Sequence, residues 1–304
     1  MSQPHTIAPQ STLYDSAKTP EKLAPALTKS DAPAPPANRT RNTQSTARGS
    51  RVRRSVRHAF VLAMRNLIKT ARTPEQLIDV TIQPMIFLLL FVYVFGGAIG
   101  GGDRHDYLQY LLPGLLAQSI VFGSIALGQN MNADIDNGVF DRFRALPIAR
   151  SVPLVGAVVA DFVRYLLVCV ITLGFGYVLG FRVQTNVLAA LGAVALAIGF
   201  ALCFCWVSLW VGLKARNAGS VQGIMFVLLF PLSFGSSIFT PTKTMPGWLQ
   251  AWNHVNPITK LVDAMRGLLI GGPVGTNVLW TLVWMAGLLL VFVPLAMRAY
   301  KRRS

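Results

Sequence analysis

Apolar residues along the 304-residue chain gather into six long runs, near 82–101, 110–130, 153–180, 187–212, 219–239 and 276–297. Each is long enough to cross a hydrocarbon layer about 30 Å thick at about 1.5 Å per helical residue. A lipid-facing backbone must satisfy its own hydrogen bonds, so the runs predict helices. The fold class is therefore an all-α polytopic membrane protein with six transmembrane helices. Two further segments are apolar only periodically. In SVRHAFVLAMRNLIKTAR, Val56, Phe60, Met64, Leu67, Ile68 and Ala71 share one helical face and Arg57, Arg65, Lys69 and Arg72 the other. That pattern predicts an N-terminal interfacial helix with its cations toward anionic lipid. The segment 240–272, TPTKTMPGWLQAWNHVNPITKLVDAMRGLLIGG, is apolar at every third or fourth residue but broken by Pro241, Pro246 and Pro257. Neither half reaches the roughly 20 residues of a span, so it predicts a short re-entrant hairpin dipping into the outer leaflet before the last span. Such backbone is tolerated at depth only against protein or a watery cavity, which makes Trp248, Trp252 and Pro257 a candidate exit gate. An interfacial loop is the alternative.

Residues 1–50 carry seven of the 18 prolines and little apolar surface, and they predict a disordered cytoplasmic tail ahead of a transmembrane domain at 51–304. They hold no apolar core of the kind a cleaved signal peptide needs. Composition agrees with a membrane protein: 53% of residues are hydrophobic, 13% charged, and mean hydropathy is +0.49. The formal charge of +16 raises nucleic acid as a partner, but the cations follow membrane topology instead. Of the 28 Lys and Arg, 22 fall before the first run, in the 131–151 and 213–218 loops, or after Met297. This positive-inside bias places both termini in the cytoplasm, with lipid rather than nucleic acid as surroundings.

Polar residues inside the runs are the next signal. Gln118 and Gln129 are eleven apart in the second run, and Gln222 and Ser233 are eleven apart in the fifth. Eleven residues make about three turns, so each pair shares a stripe that could line a substrate path or bond to a neighbouring helix. Asp161 and Arg164 sit at i,i+3 in the third run, where they can form an intramembrane ion pair, or Arg164 can snorkel, or the two can meet a substrate. All six tryptophans come as i,i+4 couples, Trp206/Trp210, Trp248/Trp252 and Trp280/Trp284, placed to anchor at the membrane boundary or to stack on a flat ligand. Gly176 and Gly180 form a GxxxG that permits a close helix crossing. Cys169, Cys203 and Cys205 lie within apolar runs and read as small buried hydrophobes.

Motifs for chemistry are missing. The sequence has no GxxxxGK[ST], HExxH or GxSxG, and its four histidines are dispersed, so no metal site and no catalytic residue is predicted. Driving energy has to come from another chain or from an ion gradient. A proton-coupled carrier would use Asp161 or Asp263. A membrane enzyme acting on lipids would need clustered acids, which only Asp134, Asp136 and Asp141 approach.

The stretch NADIDNGVFDRFRALPIAR at 132–150 places a mixed-charge segment between two apolar runs. Phe140, Phe143 and Leu146 form a ridge flanked by Asp141, Arg142 and Arg144, with Asn137-Gly138 before it and Pro147 after it. Such a bounded helix suits a groove on a partner, or is an ordinary capped loop. Here the chain resembles ABC-2 type exporter permeases, in particular the daunorubicin/doxorubicin-resistance (Drr-type) group of actinobacteria. The run Gly138 to Arg150 carries the resemblance, and NPITKLVDAMRGLLIGG adds a second match. The resemblance implies a permease subunit of an ATP-binding-cassette exporter that moves an amphipathic drug-like or lipid-like substrate outward. It also implies a partner ABC ATPase subunit carrying ATP and Mg, and a second permease copy or sister permease. The coupling helix would comprise Asp136, Gly138, Asp141, Arg142, Phe143, Arg144, Pro147 and Arg150, the stretch 52–73 would be the connecting helix, and the second and fifth spans would line the path.

Overall fold

The computed structural model describes residues 74–99, 103–138 and 152–303, and every regular element among them is helical. Helix α1 (Pro74–Leu90) continues through a π-helical turn at Phe91–Phe95 into the short α2 (Gly96–Ile99). There follow α3 (Arg104–Asp136), α4 (Val152–Leu179), α5 (Val187–Lys214) and α6 (Ala218–Phe234). After a 3-10 turn at Thr242–Thr244 come α7 (Gly247–Val255), α8 (Pro257–Ile270) and α9 (Gly275–Arg303). Helices α3, α4, α5 and α9 are long and apolar enough to cross a membrane, whereas the apolar parts of α1–α2 and of α6 are shorter. The predicted interfacial helix, most of the coupling segment and the N-terminal tail fall outside the described residues.

Boundaries follow local chemistry. Helix α3 begins earlier than its apolar run because Asp103 caps it, Oδ1 accepting from the His105 and Asp106 amides at 2.8 and 3.4 Å. It ends at Asp136, with Asn137 as C-cap and Gly138 at φ +65°, a left-handed conformation that glycine adopts without strain. Asn186 and Asn217 cap α5 and α6 through their side chains. The fifth run, read as helical to 239, stops at Phe234. Its last turn holds Pro231, and Gly235 then donates to the Pro231 carbonyl, leaving Ser236–Phe239 as an irregular connector.

Helix α3 is the centre of the bundle. Leu111, Leu112, Leu116, Ala117, Ile120 and Val121 on it are fully buried, and α1, α4, α5, α6 and α8 all pack on it. The closest crossing is with α5. A Cβ on Gly128 would come within 2.5 Å of the Ser208 carbonyl oxygen, and one on Gly212 would collide with the Gly128 carbonyl, so glycine on both helices lets the backbones touch. Ser124 and Ser208 meet in the same seam at 3.3 Å, and the Asn132 amide donates to the carbonyls of Gly212 and Ala215 at the end of α5. The Gly176/Gly180 motif is not a seam of this kind. Gly176 abuts the Leu112 side chain, while Gly180 lies beyond α4 with φ +110°.

Candidate functional site

A cavity of about 410 Å³ opens where α1, α3 and α6 converge. Its polar groups are neutral: Gln83 from α1, Gln118, Ser119 and Gln129 from α3, and Gln222 from α6. Gln129 donates to the Gln222 side chain across the cavity at 3.4 Å, and Gln118 holds Oε1 without a hydrogen-bond partner. The apolar wall is mainly phenylalanine. Rings run in contact from Phe122 to Phe226 (6.3 Å between centroids), Phe230 (5.4 Å), Phe234 (4.4 Å), Phe239 (5.0 Å), Phe91 (4.5 Å) and Phe87 (6.2 Å). Among the described residues no ionisable side chain lines this cavity. Stacked rings and amide groups, with the Gln118 Oε1 still unpaired, accept flat or aliphatic carbon together with hydroxyl or carbonyl groups, and they demand no charge of the ligand.

Three of the four residues read as a path, Gln118, Gln129 and Gln222, therefore share one cavity. Ser233 does not join them; it is fully buried at the end of α6. The ring ladder was not picked out from sequence, although Phe226, Phe230 and Phe234 recur every four residues, a spacing that puts them on one face.

Asp161 and Arg164 form a buried ion pair at 3.1 Å. Arg164 also donates to the Gly123 carbonyl at 2.7 Å, and Gly123 lines the cavity. Tyr165 and Cys205 complete the cluster, the tyrosine hydroxyl lying 3.1 Å from the cysteine sulfur and the sulfur 3.8 Å from Asp161 Oδ2. The other carboxylate considered for proton transfer, Asp263, is paired with Arg266 at 3.2 Å and accepts from Ser237 Oγ at 2.8 Å. Neither acid lines the cavity.

Helices α7 and α8 are tied to the end of α6 by two asparagines. Asn253 donates to the Gly235 carbonyl and accepts from Thr259 Oγ1 at 2.6 Å, and Asn256 donates to the Leu232 carbonyl at 2.7 Å. Trp252 and Pro257 line a second cavity, whereas Trp248 is 74% exposed and lines neither.

Comparison with known proteins places these features in a family. Residues 57–270 match the ABC-2 type transporter family. The chain is 39% identical over 231 residues to the daunorubicin resistance ABC transporter permease protein DrrB1 of Streptomyces coeruleorubidus, covering 76% of this chain and 81% of that protein. The chain belongs to the ABC-2 type transporter family. At 27% identity it also matches the probable doxorubicin resistance ABC transporter permease protein DrrC of Mycobacterium tuberculosis, over 79% of this chain and 87% of that one. The inner membrane transport permease YadH of Escherichia coli is 26% identical over 71% of this chain and 83% of its own length. This ABC-2 chain is thus a multi-pass membrane permease subunit of an ABC exporter, and its relatives are transport subunits.

Within this permease the coupling candidates divide. Asp136 is exposed at the end of α3 and Gly138 follows it, while Asp141, Arg142, Phe143, Arg144, Pro147 and Arg150 lie outside the described residues. Among the described residues no three His, Cys, Asp or Glu side chains converge as a metal site would require. Arg266 was not singled out from sequence beyond its charge, yet among the described residues it is the most heavily bonded side chain of the permease. Its Nε donates to the Tyr110 carbonyl, and its terminal nitrogens to Ser237 Oγ, Asp263 Oδ1 and the carbonyls of Ser237 and Ile238. Of those partners the local pattern DAMRGLL announces only Asp263, at i,i+3; the others come from α3 and the connector after α6.

Proposed function

We propose that this permease moves an amphipathic drug-like or lipid-like molecule outward through the phenylalanine and glutamine cavity, powered by a separate ABC ATPase. The observation that carries the reading is that cavity: amide groups and stacked rings, with no ionisable group among the described residues of its walls. The relatives named for daunorubicin and doxorubicin resistance support a drug-like cargo. In this reading Gln118, Gln129 and Gln222 bind the cargo's polar groups and Ser233 is a packing residue.

The same proposal assigns six crossings, α1 with its π turn and α2, then α3, α4, α5, α6 and α9, with both termini in the cytoplasm of a bacterial inner membrane. Helices α7 and α8, of 9 and 14 residues, span only about 14 and 21 Å, short of a bilayer core, which supports the re-entrant hairpin with Trp248, Trp252 and Pro257 at an exit gate. Residues 1–50 form a tail, and 51–304 form the transmembrane domain, which pairs with a second copy or a sister permease. The segment Asp136–Arg150 docks the ATPase, on which ATP and Mg act. Closure of that ATPase shifts the bundle between two packings.

A detergent pull-down of the tagged chain from its native membrane, with ATPase activity assayed, tests the reading. It predicts recovery of a phosphate-loop ATPase that is lost on Arg142→Glu with Arg144→Glu, while membrane insertion is kept. A well-folded chain that recovers no ATPase would overturn it. A proton-coupled carrier gains no support from the geometry, because Asp161 and Asp263 are each held by an arginine away from the cavity.

A further inference from the structure

Helices α6 and α9 both lie against α5 but do not pack on each other. The gap between them is a cavity of about 260 Å³, with Phe204 and Val207 of α5 as its floor and Leu228 and Leu232 of α6 on one side. Trp284, Leu288 and Phe292 of α9 form the other side, and Trp252, Val255, Asn256 and Pro257 of the α7–α8 segment form the roof. The floor is buried, whereas Leu228, Trp252 and Val255 are 40, 43 and 62% exposed, so the cavity opens sideways at the surface of the bundle. On α9 the flanking residues Trp280, Val283, Leu290 and Val291 are also half-exposed or more, as expected of a helix bathed in hydrocarbon.

The chemistry of the lining selects the occupant. Among the described residues Asn256 is its one amide, and both ends of that amide are spent, on the Leu232 carbonyl at 2.7 Å and the Ile258 amide at 2.9 Å. Every other described lining side chain presents carbon, apart from the two indole nitrogens. A ligand rich in hydroxyl or carbonyl groups would leave them unpaired here, which is costly. A bare hydrocarbon chain loses nothing by entering. Inside a bilayer there is no water to expel, so the gain is close packing in place of a void, and a flexible chain fills an irregular slot better than a rigid ring. The cavity is larger than the roughly 150 Å³ aliphatic void that admits benzene, yet too small for the face of another helix.

We propose that this cavity is a binding site for one acyl chain of a bilayer phospholipid, lodged beneath the α7–α8 roof and separate from the glutamine-lined cavity. The site does not depend on what the permease exports. A chain seated there would brace the roof against α5 and couple the position of α7–α8 to the surrounding lipid.

Trp252 and Trp284 line the site and report on it directly. The full chain, with Trp206, Trp210, Trp248 and Trp280 changed to Phe, would be purified in a non-quenching detergent. It would then be titrated with phosphatidylcholine brominated on its acyl chains, which quenches tryptophan on contact. The proposal predicts a saturable loss of emission with one-to-one stoichiometry, abolished by filling the cavity with Leu232→Phe and Leu288→Phe. A control that keeps only Trp280, on the same helix but outside the cavity, should show quenching without a plateau, and it keeps the test decisive if the filled variant does not fold. Quenching of Trp252 and Trp284 that rises without saturation would overturn the proposal. So would a plateau equal to that of Trp280, or one unchanged in a folded, filled variant.

Discussion

The Arg266 guanidinium lies over the Tyr110 ring, 3.6 Å from its centroid, while the Tyr110 hydroxyl and an Arg266 nitrogen donate to the same carbonyl, that of Ser237. One arginine thereby fastens α8 to α3 and to the connector after α6. All five of its N–H groups are engaged, a geometry that the three-donor ammonium of lysine cannot reproduce. Arg266→Lys should cost about 2 kcal/mol and Arg266→Ala about 3–5 kcal/mol, because the carbonyls and Asp263 lose their donors. Thermal unfolding of the detergent-solubilised chain, followed by size-exclusion fluorescence, checks the order wild type, Lys, Ala.

Asp161 and Arg164 test whether an intramembrane charge is structural. Removing Asp161 alone leaves Arg164 buried beside the Gly123 carbonyl without its counter-charge, so Asp161→Asn should destabilise by about 3–5 kcal/mol. Asp161→Leu with Arg164→Met removes both charges and should recover most of that loss, giving a large coupling energy in a double-mutant cycle. Equal, additive losses from the two single changes would show that the pair is not the stabilising unit.

Gly128 and Gly212 should be the least replaceable glycines in the bundle. Alanine at either drives a methyl into backbone, not into a side chain that can swing away, and the expected loss is about 1–3 kcal/mol. Gly192, also within α5, has nothing within 4 Å of its missing Cβ, so Gly192→Ala should be neutral or stabilise by up to about 1 kcal/mol. Melting temperatures of the three variants, measured side by side, check the contrast.

What the sequence made legible follows from range. Apolar runs long enough to span, the Asn137-Gly138 stop and the proline breaks of 240–272 are local, and the helices begin or end close to them. The end of α6 was misplaced by five residues because Ser236–Phe239 stays apolar enough to continue the pattern after Pro231 has removed a helical donor. The Gly128–Gly212 crossing joins residues 84 positions apart with no shared motif, and the visible GxxxG pointed elsewhere. Arg266 likewise draws its partners from residues 28 to 156 positions away, apart from Asp263 at i,i+3. Long-range seams of this kind leave no period to read. The glutamine stripes fared differently: Gln118 and Gln129 share a helix face, so their common cavity was readable, whereas Ser233 falls where α6 turns into the core.

That difference between the glutamines and Ser233 yields the sharpest test of the cargo site. Gln118→Leu with Gln222→Leu removes amides from the cavity wall while nearly conserving volume and leaving the ring ladder in place, so folding should be unchanged. If cargo hydroxyls bond there, each lost bond weakens binding by about 0.5–1.5 kcal/mol, and the concentration giving half-maximal stimulation of the partner ATPase should rise about tenfold for the pair. Basal ATP hydrolysis should stay as it was, since neither residue lies near Asp136–Arg150 in the chain. Ser233→Ala, buried outside the cavity, should leave the half-maximal concentration unmoved. A shift with Ser233→Ala and none with the glutamine pair would move the path away from this cavity and toward the far end of α6.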